Sequence, residues 1–260
     1  MISTAHWLWL ALAGFGAGAI NALAGGGTLI SFPALLALGI APVTANITST
    51  VALCPGYLGA ALAQRRDLQG QRARLLPLLA VAASGGLLGA AWLLHTNARA
   101  FVLAVPWLIL LACALLAMQE RVRDSLADRA SATSAPAEYW AWPLIGAGAV
   151  YGGYFGAGMS VMLLAALGIA YEDSLVRLNA LKQWLALAAN LAAAAWLASR
   201  TRLDWPVIAV LAVSAALGGA CGGRIAGRMS PLVLRRAVVL LGVAIAMVYL
   251  WRAAYHAKLT

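Results

Sequence analysis

Gly14-Phe-Gly16-Ala-Gly18-Ala-Ile-Asn21-Ala-Leu-Ala-Gly25-Gly26-Gly27-Thr28-Leu-Ile-Ser-Phe-Pro33-Ala-Leu-Leu-Ala-Leu-Gly39 carries no charge. It belongs to an apolar run over residues 5–38. As one straight helix those 34 residues would measure roughly 50 Å at about 1.5 Å per residue. A bilayer core is about 30 Å thick. Three glycines and then Pro33 interrupt the run, and both residue types break helices. The stretch is therefore expected to form two helical pieces joined by a non-helical turn.

The pattern comes back downstream. Gly146-Ala-Gly148-Ala-Val-Tyr151-Gly152-Gly153-Tyr154-Phe155-Gly156-Ala-Gly158-Met-Ser160 again places a glycine turn inside an overlong apolar run, residues 140–170. Both runs close on Ala-Leu-Gly-Ile-Ala, at Gly39 and Gly168. An offset of 133 then pairs Asn46 with Asn179, Gly85 with Gly218 and Gly89 with Gly222. The other apolar segments are 42–63, 75–94, 98–118, 175–198, 205–226 and 231–251, most of them long enough to cross a bilayer. The expectation is an all-α integral membrane protein of eight hydrophobic segments in two four-segment repeats, the first and fifth segments broken at glycine-rich turns. Residues 1–118 form the first repeat, 119–139 a polar linker and 140–260 the second repeat.

Composition agrees with a membrane interior. Apolar residues make up 63% of the chain, charged residues 10%, and the mean hydropathy is +0.87. A soluble domain needs about 25% charged residues to coat its surface. The net charge of +10 comes from arginines at segment ends, where they orient a chain and meet anionic lipid. Nucleic acid is not an expected partner, because no soluble domain remains to bind it. Cys54, Cys113 and Cys221 lie scattered in apolar runs and give neither a disulfide framework nor a metal spacing. No cofactor or metal is expected. Ala22-Leu23-Ala24 resembles a leader cleavage site, but the repeat pattern runs through it, so cleavage is not expected.

Arginine and lysine counts bear on topology. If all eight segments cross, the two sides carry 11 and 6 basic residues, Lys182 aside. If segments one and five are re-entrant hairpins, each half crosses three times and the halves are inverted. The counts become 12 and 5, and loops 64–74 and 224–236 share the cytoplasmic side. Inversion is the favoured arrangement, a common transporter plan.

Irregular backbone at membrane depth must be buried in protein or line a wet cavity. A half-helix starting there also offers free N–H groups and a positive dipole end to an anion. Gly25, Gly26, Gly27 and Thr28 in the first half, and Gly156, Gly158 and Ser160 in the second, are candidates for such a site. The four-residue glycine pairs Gly14/Gly18, Gly85/Gly89, Gly148/Gly152 and Gly218/Gly222 suit close helix packing instead, within one subunit or between two. The sixth segment reads Asn179-Ala-Leu-Lys182-Gln183, with Asn190 further along the same face. Lys182 is the one charge expected inside a span, where an ionisable side chain marks a functional site. The matched region of the first half offers Asn46, Thr48 and Ser49. Asn21, Tyr151 and Tyr154 complete the candidate set. One cation among neutral donors suits an anion of charge one or two. All eight acids lie outside the apolar runs, and no nucleophile–base pair is evident, so an enzyme is not expected.

These residues resemble the TauE/SafE sulfite exporter family over about residues 10–250. The first half matches through Asn21-Ala-Leu-Ala-Gly25-Gly-Gly-Thr28-Leu-Ile-Ser-Phe-Pro33 and Ala45-Asn46-Ile-Thr48-Ser49. The second matches through Tyr151-Gly-Gly-Tyr-Phe155-Gly-Ala-Gly158-Met and Asn179-Ala-Leu-Lys182. The second half departs from the first by lacking the proline after its glycine turn. The resemblance implies a cytoplasmic-membrane transporter in two repeats, linked to sulfite, sulfonates and related sulfur anions. The expected function is alternating-access export of such an anion. Two other readings stay open: a passive channel, and a membrane subunit or assembly factor whose partner binds the basic loops.

Overall fold

The computed structural model describes residues 3–129, 138–225 and 231–257. Every element among them is helical. The α-helices are α1 (Thr4–Ala24), α2 (Thr28–Ala37), α3 (Pro42–Ala63), α4 (Arg72–His95), α5 (Ala98–Arg129), α6 (Ala141–Tyr154), α7 (Met159–Ala170), α8 (Leu175–Arg200), α9 (Trp205–Ile225) and α10 (Pro231–Ala257). Single 3₁₀ turns at Arg65–Leu68 and Glu138–Trp140 precede α4 and α6.

The first and fifth apolar segments are each two helices. Gly25 closes α1 with φ +73°, and its N–H reaches the carbonyls of Asn21 and Ile20. That left-handed helix end is open to glycine at little cost. Gly158 does the corresponding work before α7, with φ +82°. After each break the chain turns back along the helix it has just left. The Trp9 indole N–H donates to the carbonyl of Ala34 at 3.1 Å, tying α1 to α2. In the second hairpin Gly152 faces Met159 and Gly148 faces Leu163. Each broken segment is thus an antiparallel hairpin that enters and leaves at one end of the bundle.

The hairpins are swapped between the halves. α1 lies along α9, and α6 lies along α4. Glycine makes these contacts backbone to backbone. A Cβ on Gly18 would stand 1.8 Å from the Ala215 carbonyl oxygen, and one on Gly89 would stand 2.0 Å from that of Val150. A Cβ on Gly153 or Gly218 would meet the Gly86 or Phe15 carbonyl oxygen just as closely, and one on Gly14 or Gly85 would lie 2.8 Å from the nearest backbone oxygen. The pairs Gly14/Gly18 and Gly85/Gly89 are packing surfaces, as small residues are between membrane helices. α3 and α8 cross in the middle, α3 also touching α9 and α8 touching α4, while α5 packs against α10.

Two helices, α4 and α5, contain windows with mean hydropathies of 1.8 and 2.6, apolar enough to cross a bilayer. α3 and α8 are more polar because their buried faces carry Asn46, Thr48, Ser49 and Thr50, and Lys182, Gln183 and Asn190. Their polarity points inward.

The polar stretch expected as a linker, 119–139, begins as helix. α5 runs on through Arg129. No glycine or proline occurs between Gln119 and Ala135 to stop it, so hydropathy falls while the helix continues. Residues 130–137 of that expectation lie outside the described ones.

Ion pairs tie the basic loop 64–74 to two other segments at one end. Arg74 pairs with Glu138 at 3.5 Å and Asp173 at 3.9 Å, and Arg177 pairs with Asp173 at 3.1 Å. Arg177 also donates to the Gln69 carbonyl at 3.3 Å. The loop after α3, the start of α6 and the link between α7 and α8 therefore share this end of the bundle.

Candidate functional site

The tips of the two hairpins touch. A Cβ on Gly25 would lie 2.7 Å from the Ser160 side chain, and one on Gly156 would lie 3.8 Å from Thr28 Oγ1. Thr28 and Ser160 are the first and second residues of α2 and α7, and both are buried. Two half-helix N-termini, each with a hydroxyl, are thereby brought face to face. Across the same junction Phe32 and Phe155 pack edge to face, with ring centroids 5.4 Å apart. Gly26 backs onto Leu116 of α5, and Gly27 onto Ala17 and Asn21 of α1.

Side chains from α3 hold the turns. Asn46 Nδ2 donates to the Tyr154 carbonyl at 2.8 Å, satisfying an acceptor freed where α6 ends. The Tyr151 hydroxyl donates to the Ala157 carbonyl at 2.7 Å and so stitches the turn across its base. Ser49 shares a hydroxyl hydrogen bond with Ser31 of α2. Thr48 is buried among them. In this group Asn46 Oδ1 is buried without a hydrogen-bond partner.

A second group lies along α8 toward the basic end. Lys182 Nζ donates to Asn179 Oδ1 at 2.7 Å, and Asn179 Nδ2 donates to Gln64 Oε1 at 2.7 Å. Gln64 immediately follows α3 and precedes the Arg65–Leu68 turn. Lys182 is 6% exposed and pairs with no carboxylate among the described residues. The sequence-predicted residues thus divide. The glycine turns, Thr28, Ser160, Asn46, Thr48, Ser49 and Tyr151 form the junction; Tyr154 gives it only its carbonyl, its ring packing on Trp92 of α4 and Phe101 of α5, while Asn179 and Lys182 belong to a polar chain nearer the basic end.

Between the groups is a cavity of about 490 Å³, bounded by α1, α3, α8 and α9. Its wall on α3 runs from Pro55 to Gln64, with Gly56, Gly59, Ala60 and Ala63 between them. Gly18 and Asn21 face it from α1, Gln183 from α8, and Ala216, Gly219 and Ala220 from α9. Small residues create the space and three amides supply the polarity. Asn21 Oδ1 is buried and unpaired. Asn190, two turns beyond Gln183, turns to its own helix and donates to the Ala186 carbonyl at 3.3 Å.

Gln64 and the small face Gly56-Gly59-Ala60-Ala63 were missed by sequence reasoning. The signal was present as a run of small residues at helical spacing that ends in an amide. It was overlooked because Gln64 sits beside Arg65 and Arg66 and reads as loop.

Among the described residues no three His, Cys, Asp or Glu side chains come together. What is assembled is an uncharged cavity of small residues with three amides on its wall, and one cation hydrogen-bonded through Asn179 to one of them.

The family model for the sulfite exporter TauE/SafE matches residues 10–249. The chain belongs to that family. It is a membrane transporter on this ground, and a relative agrees. The chain is 25% identical over 240 residues to a probable membrane transporter protein, ORF9, of Sinorhizobium sp., covering 92% of this chain and 90% of the relative. The TauE/SafE match spans both glycine turns, the cavity and the Lys182 chain of amides. No part of the candidate site lies outside the family's extent.

Proposed function

We propose that this TauE/SafE chain exports a small anion, sulfite or an organosulfonate, from the cytoplasm by alternating access. The single observation that carries the proposal is Lys182. It is a buried cation with no carboxylate partner among the described residues, joined by two 2.7 Å hydrogen bonds through Asn179 to the cavity wall at Gln64. A buried charge without a partner is costly, and a transiently bound anion offsets that cost. The amides of Asn21, Gln64 and Gln183 would donate to oxyanion oxygens.

Inverted repeats are part of the proposal. The swapped packing of α1 on α9 and α6 on α4 supports them, as does α3 on α9 matched by α8 on α4. With the hairpins folded back, three helices of each half remain to cross. The 12 basic residues then fall on the end that holds Arg74 and Arg177, which becomes cytoplasmic in the cell membrane. Alternating access would move the cavity's opening from that end to the other, past the paired hairpin tips.

No carboxylate lies among the cavity-lining residues to take a coupling proton. Membrane potential would suffice as a driving force. It is worth about 2.3 kcal/mol per charge per 100 mV, roughly a 2,000-fold ratio for a dianion. The test is flux of labelled sulfite, sulfate, thiosulfate, taurine and acetate in proteoliposomes, with and without an imposed potential. Saturable, voltage-dependent movement of a sulfur anion is expected. Flux without saturation would replace the carrier with a channel. No flux of any sulfur anion through folded protein would overturn the substrate assignment.

A further inference from the structure

A second basic site lies away from the cavity, where the polar end of α5 meets the start of α10. Arg235 is one turn into α10 and only 3% exposed. Its Nη1 is held by Glu120 Oε1 at 3.1 Å. Its Nε and Nη2 are shut off from solvent and have no hydrogen-bond acceptor among the described residues, so the side chain must turn toward the adjoining pocket to meet one there. Those two nitrogens form one edge of the guanidinium, the edge that engages two oxygens of a phosphate at once. Donors left bare in that way call for an acceptor.

The residue borders a pocket of about 550 Å³ that is separate from the α1/α3/α8/α9 cavity. Arg121, Arg236, Glu120 and Asp124 form its polar part, and Ala117, Val239 and Leu240 its apolar part. Three arginines against two acids leave one positive charge, the complement of a phosphodiester. The apolar residues lie on the membrane side of the charged ones along both helices, and Leu240 is 70% exposed. A charged pocket above a bare apolar strip has the form of a lipid: headgroup first, acyl chain below. Basic pockets between helices at the cytoplasmic surface hold anionic headgroups in this manner.

We infer that the α5–α10 pocket binds the phosphate of an anionic phospholipid, with Arg235 as the fork, Glu120 as its orienting partner, and Arg121 and Arg236 as the outer charges. Free phosphate shares the headgroup chemistry but not the acyl chain that Val239 and Leu240 would contact.

The test uses the purified full chain and measures lipid retention by native mass spectrometry and melting temperature on lipid addition. The probes are phosphatidylglycerol, phosphatidylcholine and inorganic phosphate. Phosphatidylglycerol is expected to bind and raise the melting temperature, and phosphatidylcholine to do neither. Arg121→Gln with Arg236→Gln removes two exposed charges and should weaken phosphatidylglycerol binding about 30-fold, from about fivefold per arginine near the membrane surface. Arg235→Lys keeps the charge without the fork and should also weaken it. The inference fails if both lipids bind alike, or if the double variant retains phosphatidylglycerol as the parent does. It fails as a lipid site if inorganic phosphate gives the same stabilisation at equal concentration.

Discussion

Asn46, one turn into α3, donates its amide to the main-chain carbonyl of Tyr154, the last residue of α6, at 2.8 Å. The two residues are 108 positions apart in sequence. The bond joins the first half of the chain to the hairpin tip of the second. Its loss leaves a part-buried carbonyl without that donor, at a cost of about 1 kcal/mol. Asn46→Ala is expected to lower the melting temperature in detergent and to abolish flux. Asn46→Asp removes the amide donor while nearly keeping the shape, and should do the same. Normal stability and transport in both would separate the bond from the hairpin's position.

In the proposed function Lys182 sets the preference for charge. At an effective dielectric of 20, a unit charge about 8 Å away is worth about 2 kcal/mol, roughly 30-fold in anion affinity. Lys182→Gln should raise the half-saturation concentration for the transported anion by about that factor and leave folding intact, because the amide can still reach Asn179. Lys182→Arg should keep much of the affinity. Unchanged saturation curves for every anion with Lys182→Gln would end the role given to this residue.

Two glycines separate packing from space. Gly18 lies against the Ala215 carbonyl, whereas Gly59 has nothing within 4 Å of an added Cβ and lines the cavity. Gly18→Val should destabilise by about 3 kcal/mol or more, since backbone must move to admit it. Gly59→Leu should leave the melting temperature within a few degrees and cut flux at least tenfold by filling the cavity. Equal effects on stability at both positions would contradict the assigned cavity.

The hairpins make a statement about sidedness. In a background with Cys54, Cys113 and Cys221 replaced, Ala5→Cys at the start of the first hairpin and Ala41→Cys after it should react with an impermeant thiol reagent from the same face. Gln69→Cys should react from the opposite one. Labelling of Ala5→Cys and Ala41→Cys from opposite faces would mean that the first segment crosses.

The breaks at Gly25–Gly27 and Gly156–Gly158 were legible because clustered glycines in an overlong apolar run leave a helix no way through. The direction of the chain after each break was not. It is set by tertiary contacts such as Trp9 with Ala34, which no local pattern encodes. Periodicity placed Asn179, Lys182 and Gln183 on the inner side of α8 but carried no information on depth. α8 begins at the basic end, so its first turns meet Gln64 rather than the glycine turns. The helical course of residues 119–129 was obscured because polarity was read as an interruption. Polarity marks where a helix leaves the apolar layer, not where it stops; a lone proline does not stop one here either, since Pro33, Pro55, Pro77 and Pro106 lie inside α2, α3, α4 and α5.

The exchange of hairpins between halves has a consequence for synthesis. The glycine face of α1 is made well before its partner, since α9 begins about 180 residues later. At about 5–20 residues per second that interval is roughly 10–40 s. During it the Gly14/Gly18 surface has no helix to lie on and must rest against lipid or an insertion factor. Neither half can mature alone. The nascent first half waits, open along one seam, until the second arrives to close it.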